Sequence, residues 1–204
     1  VRLTPSLIAL TLAATALTAC SSNDKGAAPN DDYTQGQTTP AGPQSKQVAW
    51  GQPAEVLGTN LRKMRVTPVG VLYHRGPYNG VDGPQEGWFV AIAVRAEAIG
   101  SPEAPAGGAG GGGFSWRGGG ETIDGIGSSV SAPWEGSVNG FGVDTPLEPG
   151  SPEIGIVTYY VPTKAGGRLL YISPEDQSIV SWPLPAADQG TGLDAVRKQI
   201  KRFS

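Results

Sequence analysis

The sequence predicts an all-β domain, a sandwich or small barrel of short strands, held behind an N-terminal signal and tether and followed by one short helix. Three observations carry this prediction. From Trp50 to about Pro185 the apolar residues recur with period 2 rather than 3.6. Gly (31) and Pro (18) make up about a quarter of the 204-residue chain and fall as turn signals between apolar runs. Only Thr191–Phe203 carries a helical stripe.

The N-terminal residues read VRLTPSLIALTLAATALTAC. Arg2 supplies a positive n-region and Leu7 to Leu17 an apolar run of signal-peptide length, shorter than the ~20 residues that span a bilayer. Leu17-Thr18-Ala19-Cys20 then resembles a bacterial lipobox, which implies that residues 1–19 are a lipoprotein signal peptide and that Cys20 is the lipid-attachment residue. Two acyl chains at ~0.8 kcal/mol per buried CH₂ hold a protein on a membrane stably. Cys20 is the chain's single cysteine, so no intramolecular disulfide is available to the folded part. Residues 20–49 are polar and rich in Pro, Gly and Ser, with Tyr33 and Val48 as the apolar residues larger than Ala. Such a stretch buries too little surface to offset chain entropy and is read as a disordered tether.

The folded part is assigned to residues 50–185. Ala54–Gly58 is a short strand and Met64–Tyr73 a longer one, which Pro68 interrupts; a proline there implies a bulge or an edge. Gly87–Ile99 is the strongest strand, with Trp88, Val90, Ile92 and Val94 on one face and Phe89, Arg95 and Glu97 on the other. Residues 100–113 (GSPEAPAGGAGGGG) and the run Gly118–Gly120 are read as flexible excursions; neither has the flanking residues of a phosphate or dinucleotide loop. Between 114 and 148, Phe114, Trp116, Ile123, Ile126, Trp134 and Phe141 are either inward residues of irregular strands or an exposed recognition surface. Ile154–Val161, Leu169–Ile172 and Ile179–Leu184 complete the strands. Residues 186–204 form a linker and a short amphipathic helix. Thr191 and Asp194 resemble a capping box, and Leu193, Val196, Ile200 and Phe203 make one stripe. A helix packed on the sandwich, or frayed in solution, is favoured over one resting on anionic lipid.

Leu147-Glu148-Pro149-Gly150, followed by Gly155-Ile156-Val157-Thr158-Tyr159-Tyr160-Val161-Pro162, resembles a pattern of Gram-positive, actinobacterial lipoproteins. That family carries an immunoglobulin-like β-sandwich of unknown function, similar in fold to a secreted mycobacterial antigen. The resemblance covers roughly residues 55–184. It implies an immunoglobulin-like β-sandwich and transfers no catalytic residue. The chain departs from the pattern after its long strand, where Glu97-Ala98-Ile99-Gly100 stands in place of Asn-x-Gly, and in its glycine insertion.

The composition narrows the chemistry. A chain of this length excludes an eightfold βα barrel, which needs about 250 residues. One His and one Cys exclude a structural zinc cage, and a net charge of −3 with no basic cluster before the last helix argues against nucleic acid. His74 is the candidate general base but lacks a Gly-x-Ser-x-Gly partner and reads as a turn histidine. Asp82, Glu86 and Asp124 lack the ligand density of a calcium loop. No metal or cofactor is implied. The expected function is a non-catalytic, lipid-anchored extracytoplasmic module that binds an extracellular protein, polysaccharide or small ligand. Trp134, then Trp116 and Phe141, are its candidate partner-binding residues. The alternative is a cell-envelope hydrolase using acidic residues in 121–148, such as Asp124, Glu135 and Asp144.

Overall fold

The computed structural model describes residues 44–75, 86–106, 112–124 and 146–203. Nine strands and one helix follow in order: β1 (Ser45–Gln47), β2 (Ala54–Leu57), β3 (Lys63–His74), β4 (Trp88–Ala98), β5 (Gly113–Gly118), β6 (Glu121–Asp124), β7 (Glu153–Val161), β8 (Arg168–Ile172), β9 (Ile179–Pro183) and α1 (Leu193–Phe203). They form a four-stranded sheet, β2-β3-β4-β7, and a five-stranded sheet, β1-β9-β8-β5-β6. Every pairing is antiparallel except that of β1 with β9.

Alternation along the strands puts one core between the sheets. Val66, Val71, Val90, Ile92, Val94 and Tyr159 of the first sheet share it with Trp116, Leu169, Tyr171 and Trp182 of the second. The long strand β4 divides as its sequence predicts, Val90, Ile92 and Val94 facing this core and Phe89 the opposite side. Ala91 and Ala93 share that opposite side, and their small side chains leave room for a helix. There Leu193 and Val196 of α1 pack with Leu72, Phe89, Ala91, Ala93 and Ile156. The helix therefore lies on the domain, the first of the two readings its sequence allowed.

Pro68 marks a bulge, as expected. β3 pairs Pro68 with Val94 and Gly70 with Ala93, so Val69 is the extra residue. The inward positions accordingly change from even (Met64, Val66) to odd (Val71, Tyr73). The bulge also receives the chain that leads into α1. The Gly192 amide donates to the Val69 carbonyl at 2.8 Å, and Val71 exchanges backbone hydrogen bonds with Gln189 at 2.9 and 3.1 Å. A Cβ on Gly70 would stand 2.8 Å from the Gly192 backbone, so glycine is needed for this approach. Gly192, whose carbonyl accepts from Val196, occupies the cap position. Close packing against Val69 and Ala93 thus sets the helix start, in place of the Thr191 capping box.

Three sequence expectations need correction. Residues 45–47, read as tether, form β1: Ile179 donates to the Gln44 carbonyl and Val48 to the Ser181 carbonyl, both at 2.8 Å. Val48 and Trp50 pack against the core, so order begins before residue 50. Gly118–Gly120 is no flexible excursion: Gly119 and Gly120, at φ 58° and 87°, make the two-residue turn joining β5 to β6. The first half of the 100–113 stretch is also fixed, with Glu103, Ala104 and Ala106 buried.

Ile92 sits on β4, between β3 and β7, with no exposed surface. Ile92→Ala is expected to lower unfolding stability by about 2–4 kcal/mol in chemical denaturation, from lost burial plus the cavity left behind. A loss under about 1 kcal/mol would contradict its central place.

Candidate functional site

Of the residues nominated for partner binding, Trp116 is described, and it is completely buried on the inner face of β5. Gly118 and Gly167 flank its indole so closely that a Cβ on either would come within 2.7 Å of the ring. Trp116 is therefore a core residue with no surface to offer a partner. The inward reading also holds for its neighbours: Phe114 meets the Tyr171 ring edge-on at 4.9 Å, and Ile123 packs against the core. Cys20, Asp82, Trp134, Glu135, Phe141 and Asp144 lie outside the described residues. Trp88 is a half-buried aromatic on the sheet end, but its ring carries the Arg75 guanidinium at 4.3 Å and the Lys164 ammonium at 3.6 Å.

The most constrained charge in the described domain is one the sequence did not single out. Glu103 is fully buried, and its carboxylate accepts from the Asn60 amide (3.1 Å to each oxygen), Asn60 Nδ2 (3.1 Å), the Arg62 amide (2.9 Å) and the Ala104 amide (2.8 Å). Burial alone would raise its pKa; the donated hydrogen bonds outweigh that and hold the carboxyl below its ordinary range. Around it the 102–105 segment clasps the β2–β3 turn. Thr59 donates through its amide to Ala104 O and through its hydroxyl to Pro105 O, while Arg62 Nη1 reaches Pro102 O at 3.1 Å. Leu61 is held at φ 61°, nearly half-exposed, on the tip of that turn. A carboxylate so engaged is ionised and structural, with no proton to lend to catalysis. Among the described residues no three His, Cys, Asp or Glu side chains gather as a metal site. Likewise no described helix is long and apolar enough to cross a membrane.

The clasp borders a groove of about 270 Å³ between edge strand β2 and the β8–β9 turn. Val56, Leu57, Tyr171 and Val180 give it an apolar lining; Glu55, Lys63, Ser173, Asp176 and Ser178 supply polar groups. Tyr171 is fixed there: its hydroxyl donates to Leu57 O at 2.8 Å and accepts from the Ala106 amide at 3.0 Å. Burial pushes this phenol up to about 12, the Ala106 hydrogen bond opposing and the Glu103 charge adding to the shift. The β8–β9 turn is shaped by Gln177 at φ 56°, whose side-chain amide donates to Ser173 O, and by Asp176, which accepts from the Ser178 amide at 2.9 Å. Glu55 and Lys63, diagonal neighbours on β2 and β3, pair at 3.6 Å, both well exposed. A few fixed polar groups over an apolar lining suit reversible binding of a small group such as one side chain or one sugar ring.

No protein family, curated protein or solved structure matches this chain.

Glu103→Gln places an amide NH₂ among amide donors and is expected to cost about 2 kcal/mol at neutral pH. The native carboxyl is held below its ordinary value of 4.5, so its contribution is present above that pH and is lost as pH falls through the native value. Urea titrations across acidic pH should therefore show a shallower acid limb in the variant. An unchanged acid limb would mean that another carboxylate sets it.

Proposed function

We propose that this chain is a lipid-anchored, extracytoplasmic binding module with an immunoglobulin-like domain. The groove between β2 and the β8–β9 turn is the observation that carries the binding part: a fixed recess on a two-sheet scaffold, with polar groups that orient a ligand above an apolar lining. Strand order supports the immunoglobulin-like reading. Taking β3, β4 and β7 as strands A, B and E, and β5, β6, β8 and β9 as C, C′, F and G, the sheets become A-B-E and G-F-C-C′. Trp116 then stands where immunoglobulin domains bury a tryptophan on strand C, and apolar packing takes the place of the inter-sheet disulfide. The lipobox-like Leu17-Thr18-Ala19-Cys20 supports the anchor.

Two experiments test this reading. Cells fed an alkyne fatty acid should label the wild-type protein and retain it in the membrane fraction. Cys20→Ala should be unlabelled and accumulate as precursor or in the medium; label on that variant would refute the anchor. For the groove, Ser178→Arg fills the recess from a partly exposed polar position in the β8–β9 turn. It should abolish retention of the protein on purified cell-envelope material while leaving the circular dichroism spectrum unchanged. Equal retention of both proteins would remove the groove from the function.

A further inference from the structure

We propose that the outer face of the five-stranded sheet is a second binding site, specific for an oxyanion carried on an acidic saccharide. It lies on the opposite side of this sheet from the core, and it stands independently of the groove beside β2.

Side chains alternate along the strands, so with Trp116 and Leu169 turned inward, Arg117 and Arg168 both point outward. They are direct cross-strand partners in the β5–β8 register. Two like charges opposite each other destabilise a sheet, and this pair has no carboxylate partner among the described residues. The arrangement is nevertheless ordered. Arg168 is half-buried and donates through Nη2 to Ser181 Oγ at 3.2 Å on β9, while Arg117 is exposed. Together they border a groove of about 420 Å³ crossing four strands, with Leu170, Ile179 and Ser181 between the arginines and the polar Ser45 and Gln47 of β1.

The chemistry of the lining selects the ligand. Guanidinium groups present paired N–H donors that match the oxygens of a phosphate or carboxylate. An oxyanion between Arg117 and Arg168 neutralises the repulsion between these two cross-strand guanidinium groups. The remaining groove, with hydroxyl and amide groups at its β1 end, has room for the sugar unit bearing that anion.

The probes are inorganic phosphate and, separately, D-glucuronate, titrated into the purified full chain and followed by the arginine Nε–H resonances. Sodium chloride at matched ionic strength is the control for screening. The Arg117 and Arg168 resonances should shift and saturate with at least one oxyanion and not with chloride. Saturation with phosphate alone assigns a phosphodiester-bearing polymer, with glucuronate alone a uronic-acid polymer, and with both a site for either. Arg117→Gln, at an exposed position with no hydrogen bond to another described side chain, should weaken binding about tenfold and raise the Tm of the anion-free protein. The oxyanion should raise the Tm of the wild type and leave that of the variant unmoved. Shifts that never saturate, or a variant that binds like the wild type, would overturn the proposal.

Discussion

The described domain turns on one extra residue. β3 pairs Pro68 with Val94 and Gly70 with Ala93, so Val69 stands as an unpaired insertion in its ladder with β4. Two consequences follow from that one insertion. The inward set of β3 changes parity, so that Met64 and Val66 before the bulge, and Val71 and Tyr73 after it, all reach the same core. The Val69 carbonyl, released from the ladder, becomes the acceptor for the Gly192 amide and brings the start of α1 to the sheet. Tyr73 secures the same connection further along, its amide donating to Asp188 and its hydroxyl to Pro185 O. Without the extra residue, one half of β3 would turn its apolar side chains away from the core.

What was legible in the sequence follows from what each element is made of. The strands β2, β3, β4, β7, β8 and β9 bury one face or both, so apolar alternation or apolar runs announced them, and Pro68 announced the irregularity within β3. The helix stripe was likewise legible, because Leu193 and Val196 answer to a flat apolar surface. β1 was not, since Ser45, Lys46 and Gln47 are all exposed and the strand is held by backbone pairing to a partner more than a hundred residues away. The β5–β6 hairpin was obscured by its glycines. Gly118 is there to admit the Trp116 ring and Gly119-Gly120 to make the turn, but a string of glycines reads as looseness until its neighbours are known.

The candidate site was less legible still. Glu103 sits in Ser101-Pro102-Glu103-Ala104-Pro105, a sequence with every mark of a surface loop, and its four donors come from residues 60, 62 and 104. Backbone amides carry no residue signature, so a carboxylate caged mainly by amides leaves little trace in composition. The groove beside β2 inherits that difficulty, because its wall is fixed by Tyr171 reaching across to Leu57 and Ala106. The paired arginines lie on different strands, 51 positions apart along the chain, and only the β5–β8 register makes them neighbours.

The parallel pairing of β1 with β9 has a mechanical consequence. Any tension transmitted through the residues before Gln44 enters the described domain at β1, the first strand among the described residues. When that pull runs along the strand axis, the backbone hydrogen bonds to β9 share the load, as in a lap joint, and must yield together. Pulled away from the sheet, they would open one after another. The same three-residue strand is therefore a firm coupling in one direction and a release in the other, with Val48 and Trp50, packed against the core just behind it, as the next point of resistance.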